Sequence, residues 1–134
     1  MTVEQRQALE MSRFESLQLL SGVSIGRIVY TTRALPAIFP ARHLVENDSV
    51  VVRTRVAAQC AGSVIAYEAD DIDATDHDGW CVVVTGVARQ LVDPAEIARY
   101  DQVLHPLVRS ATAELIRITP EIVTGFRIVK SPDY

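Results

Sequence analysis

The sequence predicts a mainly β protein with short helices, built as an antiparallel barrel. Segments rich in β-branched residues recur from Gly26 onward and are separated by turn signals. Nearly every connection between them is too short for a crossover, which argues against a parallel βαβ sheet. The chain has 134 residues, 49% apolar and 22% charged, enough for one domain with its own core. Residues 1–134 are therefore read as one domain, with 1–12 as an N-terminal helical extension.

Thr2-Val-Glu-Gln5 and Ser12-Arg-Phe-Glu15 both fit the capping-box pattern. One or two helices are expected across residues 3–21, with Gly22 as the stop. GRIVYTT, LPAIFPARHLV and SVVVRTR follow as strands. RVAAQCAG suits a short helix or turn, SVIAYEAD a strand, and IDATDHDG a polar loop. WCVVVTGVARQLV reads as a long strand, with Gly86 a bulge or bend. Asp93, Pro94 and Glu96 supply an N-cap, a proline at the first helical position and an acid at the third, for a helix to about Leu104. ELIRI is a strand. Thr119-Pro120-Glu121 is expected to cap one helical turn that Gly125 ends, before FRIV as a last strand.

The hairpin FPARHLVENDSVVVRTR carries Arg42, His43, Arg53 and Arg55 in a chain of net charge −4. A turn centred on Asn47-Asp48 sets Arg42 opposite Arg53, with Arg55 on the same face as Leu44 and Val51. Like charges directly opposite on a sheet destabilise it, so a negative group should lie between them. Glu68 and Asp70, alternating onto one face of SVIAYEAD, are one source. A bound phosphate is the other, since the arginine fork suits it. Thr54 could add a hydroxyl only near the strand end.

The acidic balance argues against nucleic acid as the main partner. No apolar run approaches a membrane span, and the N-terminus lacks an apolar signal core, so a cytoplasmic protein is expected. Cys60 and Cys81 read as buried free thiols. Lys130 is the single lysine, which leaves little for Schiff-base chemistry. The acidic run from Glu68 to Asp78 lacks the EF-hand spacing and reads as a solvated loop with internal ion pairs, so no metal is expected. His43 reads as a satisfied structural histidine, with an acid-base or haem-ligand role as the alternative. Walker, dinucleotide-fingerprint, nucleophile-elbow and zinc-protease motifs are missing from the sequence.

In order, the leading helix into SIGRIVY, ALPAIFPARHLV, SVVVRTR, AYEADDID, GWCVVVTGVARQLVDPAE and RITPEIVTGFRI resemble the pyridoxamine 5′-phosphate oxidase-like family of FMN-binding split barrels, in its small actinobacterial branch. The resemblance covers roughly residues 13–128. It implies a six-stranded split barrel with flanking helices and a homodimer with flavin sites at the interface. It implies FMN as cofactor, with the deazaflavin F420 as alternative, and a small-molecule redox substrate. Carried over, the phosphate-holding positions are Arg42, Arg53, Thr54 and Arg55. Trp80 is the candidate contact near the interface, with packing in the core or across the dimer as the alternative. The family's Gly-rich, Ser/Lys-containing loop is missing: RTR runs into VAAQCAG, with no serine until Ser63. A flavin-dependent oxidoreductase is the first reading. A non-catalytic split barrel that binds or senses a flavin or another anion, or has lost the cofactor, is the second.

Overall fold

The computed structural model describes residues 5–131. The described elements are β1 (Arg6–Glu10), α1 (Arg13–Ser21), β2 (Ile25–Thr32), β3 (Leu35–Glu46), β4 (Ser49–Thr54), α2 (Ala57–Cys60), β5 (Val64–Ile72), β6 (Gly79–Gln90), α3 (Pro94–Val103) and β7 (Glu114–Lys130). All strand pairings are antiparallel.

Six strands close a ring in the order β7-β4-β3-β2-β5-β6, with β6 returning to β7. This is the expected six-stranded barrel. Two-residue turns set the register on one side. Asn47-Asp48 and Arg33-Ala34 all take positive φ, the geometry of tight hairpins whose twist matches the strands they join. The first turn pairs Arg42 with Arg53 and Leu44 with Val51, as the sequence predicts.

Two expectations need correction. Residues 6–10, expected to be helical, form β1, which pairs with Phe126–Lys130 of β7 as a seventh strand outside the ring. RQALE has helix-tolerant composition, but the free edge of β7 offers it a complete ladder, and tertiary pairing overrides weak propensity. Residues 1–4 of the expected extension lie outside the described residues. The second correction concerns 119–125, expected as a helical turn and a break. They are the middle of one continuous strand, β7. Pro120 sits at a register shift opposite Gly86, where a bulge tolerates a missing N–H. A Cβ on Gly86 would lie 1.9 Å from the Thr119 carbonyl oxygen, so the close approach requires glycine. Gly86 is thus the irregularity expected.

The split lies along β7. β4 pairs with Glu114–Ile118 and β1 with Phe126–Lys130, leaving the stretch between them without a strand on that edge. The start of α1 covers it: Met11 N–H donates to the Gly125 carbonyl at 2.8 Å, and Arg13 Nη2 to that of Pro120 at 3.3 Å. Leu17 and Leu20 of α1 join a core of Ile28, Val50, Val52, Tyr67, Val82, Val84, Ile116 and Ile118. A smaller cluster outside the wall packs Val51 and Leu115 against Tyr100 and Leu104 of the α3 region. β4 is therefore buried on both faces, which explains its unbroken run of valines, Val50–Val52.

Candidate functional site

The β3–β4 hairpin brings Arg42 and Arg53 face to face, but their side chains part. Arg53 reaches α3. Its Nε donates to the Leu104 carbonyl at 2.6 Å and its Nη2 pairs with Asp101. Arg42 is half-buried, and its Nε, shielded from solvent, has no hydrogen-bond partner among the described residues. A buried donor without an acceptor costs roughly 1–3 kcal/mol, so Arg42 is poised for an acceptor from outside.

Arg55 does not share their face, contrary to the expected alternation. β4 ends at Thr54, whose buried hydroxyl accepts from Val56 N–H at 3.2 Å and turns the chain. Arg55 then stacks on Phe39, with Cζ 4.8 Å from the ring centre. Glu68 and Asp70 do not neutralise the hairpin. They converge on one nitrogen of Arg27, Nη1, at 3.1 and 3.6 Å. Burial, then the neighbouring Asp70 carboxyl, pushes Glu68 above the usual carboxylate range. The Cys81 thiol donates to Glu68 at 3.5 Å and is pushed up to about 11 by burial and then by Glu68. Cys60 is fully buried and likewise pushed up to about 11, so both thiols stay protonated near neutral pH.

Arg27 and Arg42 line one cavity of about 720 Å³. Its walls are residues 21–25 from the end of α1 to the start of β2, Arg42–Val45 of β3, Asp70 and Asp71 of β5, and Val103 and Leu104 at the end of α3. Arg53 does not line it, but by holding Leu104 it holds one wall. Thr54 and Arg55 do not line it either. Trp80 packs into the core cluster at 8% exposure; the residue opposite it on the ladder, Asp71, is the one that reaches the cavity.

His43 points to the interior. Its Nε2 lies 2.8 Å from the Leu20 carbonyl and its Nδ1 2.5 Å from the Tyr67 hydroxyl. Burial pushes the imidazole below its ordinary range, against the pull of the Leu20 and Val23 carbonyls. Burial also pushes Tyr67 far up, so it remains a phenol. Sequence reasoning missed Arg27, Tyr67 and Asp101. The Arg33-Ala34 hairpin would have placed Arg27 on the face of Arg42, but neither residue is a usual left-handed turn former.

The cavity is large enough for a three-ring aromatic system, and Arg42 offers the unpaired donor that an anionic group would satisfy. The residues present therefore fit a flavin with an anionic group, and Arg42 is the residue with a donor left to hold it.

Comparison with known proteins agrees with this architecture. The profile of the pyridoxamine 5′-phosphate oxidase family matches residues 12–127. The uncharacterized protein Rv0080 of Mycobacterium tuberculosis is 47% identical over 133 residues, covering 92% of this chain and 88% of its own. The FAD-binding protein of Mycobacterium smegmatis is 30% identical, with a TM-score of 0.69, over 90% of this chain and 98% of that one. A protein of unknown function from Corynebacterium diphtheriae, DIP1874, is 27% identical with a TM-score of 0.73, over 91% and 98%.

Proposed function

The chain belongs to the pyridoxamine 5′-phosphate oxidase family, and from that premise we propose that it is a cytoplasmic flavin-dependent oxidoreductase. The observation that carries this reading is the unpartnered Arg42 Nε beside the cavity. Arg42 binds the phosphate of FMN, or of F420 in its place, through charge-assisted hydrogen bonds. The flavin ring, when bound, supplies hydride or electron transfer to a small-molecule substrate. The protein's share is binding, orientation and exclusion of water. Arg53 keeps Leu104 against the cavity, and residues 21–25 form another part of its wall. No side chain is assigned as acid or base.

The reading includes a homodimer. Ile38, Val29, Ala66, Thr85 and Ile122 form one row across five strands on the outer face of the barrel. Ile38 and Ile122 are 66% and 61% exposed, in a place where a second copy would bury them.

A non-catalytic flavin or anion binder is the second reading. It is favoured by the commitment of Arg53 to Asp101 and of Arg55 to Phe39, which leaves Arg42 without the neighbours a strong phosphate cradle uses. The test is the visible spectrum of the purified protein, then titration with FMN, FAD and F420. Saturable binding near one flavin per chain, weakened by roughly 1.5–3 kcal/mol in Arg42→Ala, supports the flavin site. Turnover of bound flavin with a reductant and an acceptor separates enzyme from binder. Failure of all three flavins to bind refutes both forms of flavin reading.

A further inference from the structure

We propose that His43 is a positioning residue for the cavity: as the neutral Nε2–H tautomer it pins the end of α1 and the 21–25 loop as a wall for the bound flavin, and it loosens that wall on taking up a proton. The proposal rests on the reading of the cavity as a flavin site.

Donor and acceptor chemistry fixes the tautomer. The Leu20 carbonyl can only accept, so Nε2 facing it at 2.8 Å carries the hydrogen. Nδ1 of a neutral ring is then a lone pair, and the Tyr67 hydroxyl donates to it. α1 has no basic residue in its last turn, so the imidazole serves a carbonyl at the negative end of the helix. The backbone of His43 donates as well, to the Ser24 carbonyl at 3.0 Å. One residue therefore holds the loop at both ends, Leu20 by its side chain and Ser24 by its main chain. The loop between those anchors is the cavity wall. Arg42, one residue earlier, turns to the opposite face and lines the same cavity.

A second proton has a place to go. The Tyr67 hydroxyl also lies 3.1 Å from the Ala41 carbonyl. A proton arriving at Nδ1 makes it a donor to Tyr67, whose own hydrogen turns to Ala41. The hydrogen bonds survive, but a positive charge then sits in the apolar core. Across the ladder its neighbour is Val52. Arg27, Arg42 and Glu68 lie on the outer face of the wall, and Arg13 and Glu15 at the far end of α1. Asp70 and Asp71 line the same cavity as His43, and Glu68 acts on its partner Tyr67, but among the described residues no carboxylate hydrogen-bonds or ion-pairs with the ring itself. The charged state is thus relieved by moving His43 and the loop it holds, not by local pairing.

The test measures FMN and FAD affinity by flavin fluorescence from about pH 8 to about pH 5.5, the range in which histidine switches charge. Wild type should weaken about tenfold on the acid side. FAD serves as a control because its diphosphate, esterified at both ends, does not titrate there. His43→Gln keeps an N–H for Leu20 and cannot titrate, so it should bind as wild type at the alkaline end and stay flat below. His43→Ala should lose about tenfold throughout. An acid-dependent His43→Gln, or a His43→Ala that binds as wild type, would overturn the proposal. Imidazole nitrogen resonances and amide exchange need no flavin. They should show a neutral Nε2–H ring near neutral pH and faster exchange across 21–25 in His43→Ala. An Nδ1–H ring, or unchanged exchange, overturns the positioning role independently. Failure of wild type to bind flavin, with resonances and exchange as expected, overturns only the flavin reading and the wall's service to it.

Discussion

The barrel presents two outer faces, and the chain treats them oppositely. Over β4 and the start of β7, α3 lies on the wall, and Tyr100 is fully buried beneath it. The charges there are matched in one knot. The Tyr100 hydroxyl donates to Glu46 at 2.9 Å and accepts from Arg99 and Arg117, while Arg117 also meets Glu96. Burial works against ionisation of Glu46, but Tyr100 and Arg99 together hold it below the usual carboxylate range. Over the outer side of β2, β5 and β6 the described helices offer no such cover: α1 and α2 send Leu17, Leu20, Ala57 and Cys60 into the interior core. The mostly apolar row from Ile38 to Ile122 is open, and Arg27, Glu68 and Asp70 pair among themselves beside it. A face covered by its own chain holds its stability inside the monomer. A face left apolar and electrostatically self-contained is one that a partner can cover without leaving a charge unpaired.

That contrast can be broken at α3 first. Tyr100→Ala removes a fully buried ring and the centre of the knot. It should cost about 3–5 kcal/mol in denaturant unfolding, as large aromatic truncations do. A loss below about 1 kcal/mol would mean that α3 is not firmly docked. Arg53→Ala should cost less, roughly 1–3 kcal/mol, mainly by stranding the Leu104 carbonyl, since Asp101 is 55% exposed and its ion pair is screened. Arg42→Ala should spare stability and act on flavin affinity; the reverse pattern would exchange their roles.

Acid should act through the interior. His43 has a folded pKa below its unfolded value near 6.5, so the unfolded chain takes up the proton first. Its contribution to stability is whole above that value and declines as pH falls below it. His43→Gln should flatten that limb of the melting curve against pH, and an unaltered limb would assign it to the carboxylates. The smallest effect on the fold should come from the open face. Ile122→Ala should change monomer stability by under about 0.5 kcal/mol. Ile122→Asp should shift a homodimer to monomer in sedimentation, and a dimer that persists would place the interface elsewhere.

Local chemistry made part of this legible. The two-residue turn fixed the hairpin register, and Asp93, Pro94 and Glu96 marked the start of α3, where the Asp93 side chain accepts from Ala95 N–H at 3.0 Å. β1 was not legible, because its ladder partner lies more than a hundred residues away. Nor was the continuity of β7, since Pro120 and Gly125 are breakers until the bulge and the approach of Ser16 to Gly125 explain them. At the site, the facing pair Arg42 and Arg53 could be read from the turn. That Asp101 takes one of them and nothing among the described residues takes the Nε of the other depends on how α3 docks, which no local pattern encodes.

The long strand β7 has a consequence for the order in which the molecule comes together. It is the piece that joins β4 to β6, so the ring stays open until residues 114–130 are available. During synthesis, β2 to β6 can pair into a curved sheet, but with the edges of β4 and β6 both unsatisfied. Those edges carry Val50–Val52 and Val82–Val84, strong β formers with no charge among them. The nascent chain therefore passes through a stage in which its stickiest strands await a partner made last, and closure depends on contacts distant in sequence, which form slowly.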